Sequence, residues 1–256
     1  MPAIDIMAIP AFQDNYIWLL HTGGKQCAIV DPGDAAPVRA VLEQAGWHLT
    51  SILITHHHAD HIGGMASLAE EWKPRLIGPA DSRIQDLDEI VGQGDIARLP
   101  ELGLEFQVIE VPGHTRSHIA YFGHGCLFSG DTLFSVGCGR LFEGTAEQMQ
   151  ASLDKLAALP GDTRVYCGHE YTLANCRFAL EVEPENQALR DKFRRVETAR
   201  AAGTITLPGL LSEELAVNPF LRSRENSVIE AARRHDPSAG GGIKTLQAIR
   251  AWKDVW

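Results

Sequence analysis

Thr55-His56-His57-His58-Ala59-Asp60-His61 follows the apolar run Ser51 to Ile54 and leads into Gly63-Gly64. Five potential metal ligands fall within six residues of a chain that holds 11 histidines in all. Alternate side chains of an extended backbone project to the same side, so His56 and His58 can reach one ion. Asp60 and His61 lie where a helix is expected to begin and can face a second ion nearby. Asp60 also suits the N-cap of that helix. The segment reads as a metal-binding loop at the end of a strand.

Metal sites need more ligands than this loop supplies, and three other segments repeat its design of strand, tight turn and donor. His114 lies in Val111-Pro112-Gly113-His114-Thr115, Asp131 in Phe128-Ser129-Gly130-Asp131-Thr132, and His169 in Val165-Tyr166-Cys167-Gly168-His169-Glu170. Each alone is an ordinary polar residue after a strand. Together with the first motif they form a candidate ligand set.

Further short apolar runs read as strands: residues 16–20, 26–30, 75–78, 104–111, 119–122, 126–128 and 164–167. The first few are close enough together to pair antiparallel. Later ones alternate with helical patterns near 35–46, 61–72 and 145–159, which implies an α/β arrangement with sheets covered by helices. From about residue 170 the pattern turns helical, over 171–183, 186–202 and 243–252, with Pro184 as a stop or first-turn residue. A boundary is placed there, giving domains 1–170 and 171–256. Ser238-Ala239-Gly240-Gly241-Gly242 reads as a linker-like loop.

Composition narrows the function classes. The chain has 256 residues, 45% of them hydrophobic, which is enough for a sizeable core. No apolar stretch approaches the roughly 18 residues that cross a bilayer, and Met1-Pro2-Ala3-Ile4-Asp5 shows no secretory start. The net charge of −10 argues against a nucleic-acid partner. An anionic small molecule would require the few cations to be concentrated at its site. Five cysteines with no C-x-x-C pair argue against a disulfide framework and for a reducing compartment. The expectation is a cytoplasmic monomer that acts on a small molecule and touches neither nucleic acid nor membrane.

The H-x-H-x-D-H motif with its downstream His, Asp and His resembles the metallo-β-lactamase superfamily over most of residues 1–170. The resemblance implies a four-layer αββα fold and two divalent metal ions, zinc by default with iron or manganese as alternatives. It assigns His56, His58 and His114 to one ion and Asp60, His61 and His169 to the other, with Asp131 bridging. Asp60 and Asp131 then also serve catalysis. His57 occupies a variable position of the motif and is expected to lie behind the ligands or to be exposed.

Other segments are similar to the hydroxyacylglutathione hydrolase (glyoxalase II) family. They are Val136 to Thr145, Gly168 to Thr172, Asn218-Pro219-Phe220-Leu221-Arg222, and Ala248 to Asp254. This likeness implies a C-terminal α-helical glutathione-binding domain. It also implies hydrolysis of S-(2-hydroxyacyl)glutathione, S-lactoylglutathione above all, to glutathione and a 2-hydroxy acid such as lactate, in methylglyoxal detoxification. Glutathione contacts carry over to Arg140, Tyr171, Arg250 and Lys253. Arg250 and Lys253 stand three apart on an expected helix and so share a face. The family often has Lys at position 140 and Tyr at 142. Arg140 can still pair with a carboxylate, but Phe142 cannot donate a hydroxyl hydrogen bond. Residues 226–242 match least well. Rival readings are a mono-iron persulfide dioxygenase, another hydrolase of the same fold, and a non-enzymatic metal-binding protein.

Overall fold

A computed structural model describes residues 4–256. The reading of the N-terminus as lacking a leader rests partly on Met1–Ala3, which lie outside the described residues. Contacts along the chain define two compact units. One comprises the chain up to Glu110 with Ser117–Gly130, and the other Val111–Arg116 with Asp131–Trp256.

In the first unit, β1 (Asp5–Ala11), β2 (Asn15–His21) and β3 (Gln26–Val30) pair antiparallel, as their close spacing suggests. Helix α1 (Ala35–Ala45) then carries the chain to β4 (His48–Leu53), parallel to β3. Asp34 starts this helix by accepting the Ala36 N–H at 2.9 Å. Its Ala35, Val38 and Leu42 are buried on one face, and burial of a leucine such as Leu42 contributes about 1.5–3 kcal/mol.

Where one helix was expected over 61–72, two form, α2 (Ala59–Ile62) and α3 (Met65–Trp72), interrupted at Gly63-Gly64. The N-cap of α2 is His58, with no side-chain cap bond, and Asp60 lies in the first turn. The expectation of Asp60 as N-cap is thereby corrected: its carboxylate points elsewhere. Parallel strands β5 (Arg75–Gly78) and β6 (Glu89–Ile90) complete this sheet. The meander β7 (Ile96–Leu99), β8 (Leu104–Glu110), β9 (Ile119–Gly123) and β10 (Cys126–Gly130) follows. Strand β1 escaped the sequence reading because Pro10 demotes it. It is an edge strand, where proline is tolerated.

The second unit contains the hairpin β11 (Leu133–Phe134) and β12 (Gly137–Cys138), helix α4 (Ala146–Ala157) and β13 (Arg164–Cys167). It continues with α5 (Thr172–Val182), α6 (Gln187–Ala201), β14 (Gly209–Leu210), α7 (Leu211–Val217), α8 (Asn226–Arg233) and α9 (Ile243–Val255). Helices α7 and α8 were not expected from sequence. Val136, Cys176, Ala179, Leu189, Val196 and Val217 form a core. Beside it, the fully buried Glu214 accepts from Lys192 Nζ at 2.6 Å, Ser135 Oγ at 2.9 Å and the Val136 N–H at 2.6 Å. Asn218 of the Asn218-Pro219-Phe220 segment donates to Phe134 O at 3.2 Å and Gly137 O at 3.0 Å, and so clamps both strands of the hairpin.

These bonds tie residues 131–139 to the helices that follow residue 170. The compact unit therefore begins earlier than the change from strand to helix pattern near 170. All five cysteines are buried free thiols, and burial pushes Cys27, Cys167 and Cys176 up to about 12. Among the described residues, no helix is long and apolar enough to cross a membrane.

Candidate metal centre

In the first unit the turn after β3 supports the histidine loop. Gly33 makes the approach possible, because a Cβ there would sit 1.9 Å from the Asp60 carbonyl oxygen. Asp31, 5% exposed, accepts the Thr55 N–H at 2.7 Å, the Thr55 hydroxyl at 2.7 Å and His61 Nδ1 at 2.9 Å. Having donated to Asp31, the Thr55 hydroxyl accepts from His56 Nδ1 at 3.0 Å. This relay places the ring protons of His56 and His61 on Nδ1 and leaves the lone pair of each on Nε2, the form in which imidazole binds a metal.

The rings of His56 and His58 lie 4.7 Å apart, and those of His56 and His61 4.2 Å. His61 Nε2 is 3.6 Å from Asp60 Oδ2. Asp31 could also join His56 and His61 around an ion, but its carboxylate already accepts three donors, so its role is orientation. Sequence reasoning missed Asp31, although Asp31-Pro32-Gly33 also sets a donor at a strand end beside a tight turn.

His57 packs against His58 with ring centroids 4.8 Å apart, and its Nδ1 faces Asp81, 3.5 Å from Oδ2. The Arg83 guanidinium and the Ser117 hydroxyl hold the Asp81 carboxyl well below the usual range. His118, buried and stacked 4.6 Å from His56, is a further neighbour the sequence did not single out.

In the second unit His114 Nδ1 donates to Arg140 O at 2.9 Å, since a carbonyl can only accept, and its Nε2 therefore carries the lone pair. That nitrogen lies 3.5 Å from Asp131 Oδ2, and His169 Nε2 lies 3.3 Å from the same oxygen. Asp131 is 6% exposed. Gly139 lets this turn close, because a Cβ there would lie 2.0 Å from Asp131 O and 3.0 Å from His114 Nδ1. A lone pair facing a carboxylate oxygen in a buried pocket is repulsive until a cation or proton lies between them. The nitrogen and oxygen donors of both units thus fit divalent metal ions.

All five expected substrate contacts lie in the second unit. Tyr171 stacks on His169 with ring centroids 4.6 Å apart, and Phe142, 63% exposed, packs edge-on against His114. Arg140 is exposed, 3.4 Å from Asp254 Oδ1. Arg250 is buried rather than solvated: it donates to Cys138 O at 2.9 Å and pairs with Asp254 at 3.1 Å. Lys253 donates to Asn175 Oδ1 and lies over the rings of Phe178 and Phe220. Burial, and then the neighbouring Arg250 charge, push its ammonium down to about 7.

The α/β fold is that of the metallo-β-lactamase superfamily, whose family model matches residues 12–169. The model described as hydroxyacylglutathione hydrolase C-terminus matches residues 170–256. The hydroxyacylglutathione hydrolase of Pseudomonas paraeruginosa is 53% identical over 261 residues, spanning 98% of this chain and 99% of that protein. The chain belongs to the hydroxyacylglutathione hydrolase family. Among solved structures, ETHE1 from Myxococcus xanthus is similar with a TM-score of 0.66 at 25% identity, covering 98% of this chain and 99% of that one. TTHA1623, solved in a di-iron-bound form, has a TM-score of 0.54 at 28% identity over 64% of this chain and 91% of its own.

Proposed function

We propose that this chain hydrolyses S-(2-hydroxyacyl)glutathione thioesters, S-lactoylglutathione among them, to glutathione and the free 2-hydroxy acid. The observation that carries this reading is that His56, His61 and His114 each engage a partner through Nδ1, while the Nε2 of His61, His114 and His169 lies 3.3–3.6 Å from an Asp60 or Asp131 carboxylate oxygen. Kinship over the full length with hydroxyacylglutathione hydrolases supplies the substrate class.

In this reading His56, His58 and His114 hold one ion, Asp60, His61 and His169 hold a second, and Asp131 serves both. Imidazole and carboxylate donors suit zinc, iron or manganese. When bound, such ions lower the pKa of a water and polarise a thioester carbonyl. Asp31, Thr55 and the Arg140 carbonyl keep the imidazoles in their ligating tautomers. Arg140, Tyr171, Arg250 and Lys253 engage the glutathione moiety, whose two carboxylates need cations. Residues 171–256 thereby act as the glutathione-binding domain. Phe142 offers an apolar ring where a tyrosine would add a hydrogen bond. The released thiol has a pKa of roughly 8.5, so it departs as thiolate without a proton from the protein. Five buried free thiols suit a reducing compartment, and a cytoplasmic setting is proposed on that ground.

The test pairs hydrolysis of S-lactoylglutathione with oxygen uptake on glutathione persulfide. Thioester cleavage without oxygen uptake is expected. The reverse result would assign the chain to the dioxygenase reading. In Lys253→Ala, the KM for the thioester should rise while kcat is retained, and an unchanged KM would remove Lys253 from the glutathione site.

A further inference from the structure

We propose that Asn15 is a positioning residue for the metal centre, fixing the carboxylate of Asp60 in its ligating orientation. The inference rests on the reading of Asp60 as a metal ligand. Asn15 stands at the foot of the β1–β2 hairpin, paired with Ala11 across the three-residue loop Phe12–Asp14. Its backbone is spent on the strand ladder. Its side chain, on a residue only 7% exposed, donates from Nδ2 to Asp60 Oδ2 at 2.9 Å and to Asp60 O at 3.4 Å. Both partners are oxygens that can only accept, so the amide nitrogen must be the atom facing them.

A buried amide with both of its hydrogen bonds on one residue is placed for that residue. Asp60 needs such support. Gly33 fixes its backbone by close approach, but its side chain is 40% exposed and sits in a helical first turn where the carboxylate could swing to solvent. The oxygen that Asn15 grips is the one facing His61 Nε2 at 3.6 Å. The N–H donor thus holds the carboxylate beside the histidine with which it would share an ion. Groups that hydrogen-bond a ligating carboxylate typically govern 10–100-fold in metal affinity.

The loop above Asn15 turns through a left-handed residue. Phe12 has a φ of 51° and is 61% exposed, a left-handed conformation that is unusual for a bulky residue.

The experiment titrates the metal-stripped full chain with Co2+ against a chromophoric chelator, with thermal unfolding of the stripped protein alongside. Asn15→Leu keeps the side-chain size and removes the donor. The expected result is one equivalent bound as in the wild type, the second weakened 10–100-fold, and a stripped-protein Tm close to that of the wild type. Asp60→Ala separates the two levels of the argument. If Asp60→Ala binds both equivalents as tightly as the wild type, Asp60 is no ligand and the underlying reading fails. If Asp60→Ala loses one equivalent while Asn15→Leu binds both normally, the role given to Asn15 alone is overturned.

Discussion

Asp31→Asn should weaken metal binding while leaving the fold intact, and the reason lies in the proton positions. The carboxylate accepts three donors, the Thr55 N–H, the Thr55 hydroxyl and His61 Nδ1. The amide of the variant can keep its oxygen on the Thr55 N–H, where Asp31 Oδ1 lies at 2.7 Å. Its NH2 then faces His61 Nδ1 and the Thr55 hydroxyl. An NH2 donating to His61 Nδ1 drives the ring proton to Nε2, where it blocks a metal. The Thr55 hydroxyl, having lost its acceptor, turns its proton toward His56 Nδ1 and has the same effect on that ring. Two imidazoles would have to change tautomer before binding. The expected loss is 10–100-fold in metal affinity, or about 1.4–2.7 kcal/mol. Asp31→Ala is a cruder change, because each orphaned buried donor costs about 1–3 kcal/mol of stability. The assay is a chelator competition on Asp31→Asn, with circular dichroism to verify folding. Wild-type affinity in a folded Asp31→Asn protein would refute the tautomer relay.

Other outcomes follow from the same structure. Lys253 is held near 7, below the ordinary lysine value, so the free enzyme loses this charge as pH rises through about 7. The KM for glutathione thioesters should therefore climb between roughly pH 6 and 8, and Lys253→Arg should flatten that climb. The depressed value also means that the folded protein binds fewer protons than the unfolded chain between about 7 and 10.5. The charged lysine thus costs stability at low pH, and Lys253→Met should gain stability most below pH 7, the gain shrinking as pH rises, as urea titrations at several pH values would show. Glu214→Ala takes from the buried Lys192 its nearer carboxylate, leaving Glu213 at 2.9 Å, and orphans the Ser135 hydroxyl and the Val136 N–H, so it should cost about 3–5 kcal/mol in urea unfolding. Gly33→Ala would drive a methyl to 1.9 Å from Asp60 O and should reduce bound metal together with Tm.

The candidate donors are legible in sequence because His114, Asp131 and His169 each follow a strand and a glycine, and the others share one His-rich loop, a pattern of local origin. The α1 pattern of Val38 and Leu42 is equally local. The orienting residues are not legible in this way. Asp31 and Asn15 lie 30 and 45 positions from His61 and Asp60, and only the pairing of strands brings them close. Arg250 is expected from the resemblance to contact glutathione, and its burial against Cys138 O, a contact 112 positions distant, has no signal in the sequence. Pro10 hid β1, since a proline signals against a strand unless its edge position is known. The role of Asn218 in clamping the β11–β12 hairpin likewise needs the tertiary structure, because neither partner carbonyl has a sequence signature.

The claim on which the account depends is that seven imidazole and carboxylate side chains serve two ions in one working enzyme. Elemental analysis of the protein purified from metal-replete medium, with thioester hydrolysis measured on the same sample, tests it directly. Two equivalents per chain are expected, with activity lost on chelation and restored by readdition. Full thioesterase activity in protein holding a single equivalent, or none, would contradict it.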